Sequence, residues 1–120
     1  MTSSNDRRRV LVVEDEWMVA AQIEAIVSGA GFEVVGPLGD LRAALAAAET
    51  EELYAALLDV ELAPGIEVYP VAHILQNRQV PFAFVTSKPR NQIAPSHADR
   101  PVVAKPFQPH QIEAVLRSFL

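Results

Sequence analysis

Arg9-Val10-Leu11-Val12-Val13-Glu14-Asp15-Glu16 drives an unbroken apolar run straight into three carboxylates. Nothing polar alternates within Val10–Val13. The run therefore reads as a strand, Arg9–Val13, buried on both faces, as strands of parallel sheets are. The pattern recurs along the chain. Tyr54–Asp59 carries Ala-Ala-Leu-Leu into an aspartate, and Val80–Thr86, with Pro81 near its start, ends in Thr86-Ser87. Two shorter runs, Phe32–Val35 and Pro101–Ala104, complete a set of five predicted strands.

Helical periods fill the spaces between them. Trp17–Ala30 places Val19, Ala20, Ile23, Ile26 and Val27 on one face, and Gly29 and Gly31 supply the stop. Asp40–Glu51 is Ala-rich, with Asp40 placed as its N-cap. Ile66–Arg78 is helical by period, with Pro70 in its first turn or at a kink, and Pro109–Leu120 closes the chain with Pro109 in its first turn. Lys88–Arg100 holds two prolines and no clear period, so any helix there is expected to be short or mobile. The alternation predicts an α/β domain over 9–120, an open doubly wound sheet, after a disordered polar lead at 1–8.

Composition narrows the function. Half of the 120 residues are hydrophobic, enough for one cored domain, and there is no cysteine for disulfides or thiolate metal sites. A net charge of -5 disfavours a general nucleic-acid binder. Arg7-Arg8-Arg9 is too short for a nucleic-acid signal and reads as a solvated lead-in to the first strand. No signal-peptide pattern and no span-length apolar stretch occurs, so no membrane insertion and a cytoplasmic setting are expected.

In open α/β sheets ligands collect at the carboxyl ends of the strands. Those ends carry Glu14-Asp15-Glu16, then Asp59 with Glu61 two residues on, then Thr86-Ser87, then Lys105-Pro106. Clustered carboxylates repel and persist only where a cation relieves them. Mg²⁺ is such a cation: it takes oxygen ligands and keeps waters for a phosphate to replace. A lysine ammonium and a hydroxyl can hold what charge remains, which suits phosphoryl transfer to a carboxylate nucleophile. His73, His97 and His110 have no metal-ligand spacing and read as structural or solvated. Trp17 reads as a partly exposed residue beside the acidic pair.

VVEDE, LLDVEL, FVTS and AKPF, in that order at successive strand ends, resemble the receiver domain of bacterial two-component response regulators. The resemblance covers Arg9 to Leu120. It implies a (βα)5 flavodoxin-like fold with five parallel strands in the order 2-1-3-4-5. By the same motifs Asp59 is the phosphoacceptor, and Glu14 and Asp15 hold Mg²⁺ with Asp59 and the Glu61 backbone carbonyl. Thr86 is the switch hydroxyl, Lys105 pairs with the phosphoryl group, and Pro106 follows through a peptide commonly cis. PFAFVTS with DVEL and VYPVA resembles a single-domain alphaproteobacterial subgroup with a PFxF(A/V)T signature, paired with histidine kinases of the HWE type. Ser87-Lys88 depart from that subgroup's Gly and aromatic. Val102 departs from receivers generally, since Tyr or Phe usually stands three positions before the lysine.

The function implied is a stand-alone phosphorylation switch, catalysing only its own phosphorylation and dephosphorylation. It would signal to a protein partner through Lys88–Arg100, the fifth strand and the last helix, or serve as a phosphate sink. A salt bridge from Glu61 to Lys88 across the site mouth would slow acyl-phosphate hydrolysis. Two alternatives stay open. One is a binding-only pseudo-receiver, kept alive by Val102. The other is an aspartyl-nucleophile phosphohydrolase of the haloacid-dehalogenase kind, for which Glu61 would have to replace the second aspartate.

Overall fold

The computed structural model describes residues 8–120. The disordered lead expected at 1–8 lies outside the described residues except for Arg8. In chain order the elements are β1 (Arg9–Val13), α1 (Trp17–Gly29), β2 (Glu33–Leu38), α2 (Leu41–Thr50) and β3 (Ala55–Leu58). A short ribbon follows, β4 (Glu61–Ala63) and β5 (Ile66–Glu67), then α3 (Tyr69–Asn77), β6 (Phe82–Thr86), β7 (Val102–Ala104) and α4 (Pro109–Arg117).

The five-stranded sheet runs β2-β1-β3-β6-β7, with every neighbouring pair parallel. Counting only these sheet strands, the order is the expected 2-1-3-4-5. Alternate side chains of each strand face opposite layers. Val10, Val12, Leu57, Ala83 and Val85 pack with Ile23 and Val27 of α1 and with Ile112 and Leu116 of α4. Leu11, Val13, Leu58, Phe82 and Phe84 pack with Ala44 and Ala48 of α2 and with Val71, Ala72 and Leu75 of α3. Both faces of the central strands are thus covered, which is why β1 and β3 carry no polar alternation.

Local chemistry fixes the ends of the elements. The Asp40 carboxylate accepts the Ala43 N–H at 2.9 Å and caps α2, as its position before the Ala-rich run indicated. At the other end of α2, Arg78 Nη1 donates to the carbonyls of Ala48 and Glu51 at 2.6 and 2.9 Å.

One segment differs from the sequence reading. The helix expected from Ile66 begins at Tyr69, because Glu61–Ala63 and Ile66–Glu67 form an antiparallel ribbon around Gly65 (φ 78°). Pro70 falls in the first turn of α3, where its missing N–H costs no helical bond. In Lys88–Arg100 the helix is short, as expected: two 3-10 turns, Arg90–Gln92 and Pro95–His97, tied to the rest of the fold by side chains. Ile93 and His97 are buried, Tyr69 Oη accepts the Ala94 N–H at 3.0 Å, and Arg90 Nη1 donates to the carbonyls of Ala98 and Arg100, both at 3.0 Å.

Candidate functional site

The loops after β1, β3, β6 and β7 open on one edge of the sheet and line a cleft of about 870 Å³. Its walls include Asp15, Asp59, Glu61, Thr86, Lys88 and Lys105. Every side chain singled out at a strand end therefore reaches this edge, Glu14 lying beneath it. The parallel register brings them together. Asp59 N donates to the Val13 carbonyl at 2.9 Å, and Lys105 N to the Thr86 carbonyl at 2.9 Å.

Lys105 is the electrostatic centre. Its Nζ lies 2.8 Å from Glu14 Oε1 and 3.3 Å from Asp59 Oδ2. The Asp59 contact is a hydrogen bond. The Glu14 contact is the shorter of the two, an ion pair from the ammonium to the buried carboxylate oxygen. The other Glu14 oxygen accepts the Glu16 N–H at 3.2 Å. Burial raises the Glu14 carboxyl to about 7, and the neighbouring Asp59 charge adds to the rise while Lys105 opposes it. Burial also raises Asp59, against the opposing pull of Lys105. Burial works against the Lys105 charge too, but the two carboxylates outweigh it and its value is raised.

Glu14, Asp15 and Asp59 each offer an oxygen within 4.8 Å of the others. This all-oxygen donor set suits a hard divalent cation such as Mg²⁺. Thr86 is buried, and its Oγ1 accepts the Lys88 N–H at 3.1 Å. The hydroxyl proton stays free to donate. The peptide between Lys105 and Pro106 is cis, as the resemblance implied.

Glu61 and Lys88 are not paired. The Glu61 carboxylate turns into the ribbon and accepts the Gly65 N–H at 3.3 Å, so no ion pair closes the mouth. Trp17 is 78% exposed at the start of α1. Val102 is half-buried against the α2–α3 layer and leaves no aromatic at its position. The aromatic group on that face comes from elsewhere: His97 stacks on Tyr69 at 5.9 Å and 10°, with Phe82 and Phe84 at its edges.

Sequence reasoning missed one contact at the site. Gly39 lies directly against the Glu14–Asp15 loop, where an added Cβ would stand 3.1 Å from Asp15 Cα and 3.2 Å from the Glu14 carbonyl oxygen. The glycines of Gly36-Pro37-Leu38-Gly39-Asp40 were the available signal, but a turn explains glycine equally well.

No family model matches the chain. The chain is 32% identical to the phyllosphere-induced regulator PhyR of Methylorubrum extorquens over 117 residues, 92% of this chain and 43% of the relative. It spans about half the length of the curated relatives it matches. SdrG from Sphingomonas melonis is 32% identical and superposes at a TM-score of 0.83 over 98% of each chain. The receiver domain of the sensor histidine kinase PA1611 from Pseudomonas aeruginosa, with magnesium coordinated in its active-site cleft, shares the fold. That chain is 24% identical, at a TM-score of 0.77 over 94% of this chain and 97% of that one. No described helix is long and apolar enough to cross a membrane.

Proposed function

The chain belongs to the response-regulator receiver family, and we propose that it works there as a phosphorylation switch with Asp59 as phosphoacceptor. The donor would be the phosphohistidine of a cytoplasmic sensor histidine kinase. The observation that carries the reading is Lys105 Nζ set between Glu14 and Asp59 at the floor of an open cleft, with Thr86 on its wall.

Transfer forms a bond from an Asp59 carboxylate oxygen to phosphorus as the bond from phosphorus to the donor imidazole nitrogen breaks. Such a reaction asks the protein for positioning and charge neutralisation. Lys105 supplies a fixed positive charge at the acceptor. Thr86 donates its hydroxyl proton to a phosphoryl oxygen while its own oxygen stays held by the Lys88 N–H. The side chains of Glu14, Asp15 and Asp59 and the Glu61 carbonyl would hold Mg²⁺, which when bound neutralises the carboxylates and takes a phosphoryl oxygen. A hydrolase reading is weaker, since it needs Glu61 as acid/base and the ribbon occupies that carboxylate.

Output would pass to a protein partner through Lys88–Arg100, β7 and α4. Acetyl phosphate with Mg²⁺, followed by intact mass, tests the switch. One phosphoryl group should appear on the wild type, and none on Asp59→Asn or without the metal. An adduct that survives Asp59→Asn rules out Asp59 as the acceptor.

A further inference from the structure

We infer that Gly39 is a positioning residue for the cation loop: its bare Cα sets where Glu14 and Asp15 stand, and a methyl group there weakens Mg²⁺ binding without unfolding the domain. The inference rests on the reading of Glu14 and Asp15 as Mg²⁺ ligands and adds a residue to it from the other side of the loop.

Gly39 has a φ open to any residue, so conformation does not demand glycine. Space does. The Cβ distances of 3.1 Å to Asp15 Cα and 3.2 Å to the Glu14 carbonyl oxygen are to backbone atoms, which cannot rotate aside as a side chain can. Something has to shift by a few tenths of an ångström, and the local structure decides which side moves.

The Gly39 side is tied at both ends. On one side, β2 departs from β1 in a bulge: Leu11 pairs with Val35 but Val13 pairs with Leu38, so Gly36 and Pro37 together oppose Val12. Gly36 sits there at φ 102°, within 3.0 Å of the Val12 carbonyl oxygen were it to carry a Cβ, which pins the bulge. The Leu38 carbonyl then accepts the Glu14 N–H at 2.9 Å. On the other side, Asp40 caps α2 through Ala43. A methyl at position 39 that pushed its own loop back would stretch these bonds. The Asp15 side is exposed and less constrained, so that side yields, and Asp15 is displaced from Asp59.

The test is a Mg²⁺ titration of the intact chain followed by the fluorescence of Trp17, two residues from Asp15 and 78% exposed. Gly39→Ala should bind Mg²⁺ about tenfold more weakly, the lower end of what residues supporting a metal ligand contribute. Its thermal midpoint should stay near that of the wild type. Gly29→Ala is the control: a Cβ there meets nothing within 4 Å, and Mg²⁺ affinity should not change. A folded Gly39→Ala with wild-type affinity overturns the inference. Should Gly39→Ala fail to fold, amide shifts of the wild type decide. Mg²⁺ must move the Gly39 amide together with that of Asp15, and Asp15 moving alone overturns the coupling. A wild type that binds no Mg²⁺ overturns the inference by removing the cation reading itself, and that failure shows before any variant is made.

Discussion

At the carboxyl end of β1, Glu14 is 2% exposed and faces the Lys105 ammonium, while in the second 3-10 turn His97 is 4% exposed with Nδ1 unpartnered among the described residues. Both are buried ionisable groups packed against one sheet, yet their surroundings treat charge in opposite ways. Around Glu14 lie Asp59, Asp15 and Lys105, so a charge can be held there if another meets it. Around His97 lie Tyr69, Phe82 and Phe84, with Arg100 and His73 adding positive character and Asp99 opposing them. The first region is built to change its charge. The second keeps an imidazole neutral and so holds Lys88–Arg100 against the sheet.

The contrast gives opposite dependences of stability on pH. The Glu14 carboxyl is raised by burial from 4.5 to about 7. Between those values the folded chain keeps a proton that the unfolded chain has released, so stability falls as pH rises. In the metal-free wild type stability should fall from about pH 5 to about pH 8, the largest of the effects considered. Glu14→Gln should remove most of it. Urea denaturation at a series of pH values measures both, and a wild type whose stability is level or rises over that range breaks the comparison at its first member.

The second region is sharpened by Tyr69→Phe. The ring that stacks on His97 remains, while the Oη that accepts the Ala94 N–H is lost. The loss should be about 1 kcal/mol, with faster amide exchange through 92–98 and unchanged Mg²⁺ affinity. Exchange that stays at the wild-type rate would show that the aromatic stack alone pins the segment.

These two regions were not equally legible. Glu14, Asp59, Thr86 and Lys105 could be read because each ends an apolar strand, and the parallel sheet gathers strand ends without any further contact having to be known. Asp40 was legible for a similar reason, since a cap depends on its own neighbours. The ribbon at Glu61–Glu67 was missed because Ile66 continues the apolar period of α3, while Pro64-Gly65 is what turns the chain. The hold on Lys88–Arg100 was missed because it depends on Tyr69, which stands 25 residues before the Ala94 amide it anchors. Gly39 was missed because a close approach to Asp15 is a distance between two loops, which no spacing along the chain records.

The smallest effect is the His97 limb, and it needs the first variant to be seen. Burial lowers the His97 imidazole from 6.5, with Arg100 acting in the same direction. Below that value the unfolded chain takes up a proton that the folded chain refuses, so His97 makes stability fall as pH drops. Over the same range Glu14 makes stability rise on acidification, and this larger limb masks the His97 limb in the wild type. Glu14→Gln removes the largest opposing limb, so a decline from His97 should emerge just below about pH 6.5, before the Asp59 carboxyl, also raised by burial, takes up its proton. Adding His97→Phe keeps an aromatic ring in the stack and removes the titration, so that decline should disappear. A double variant that still loses stability on acidification, or a His97 midpoint by NMR at or above 6.5 in the wild type, would mean that the aromatic pocket does not hold the ring neutral. The segment would then owe its position to Tyr69 and Arg90 alone.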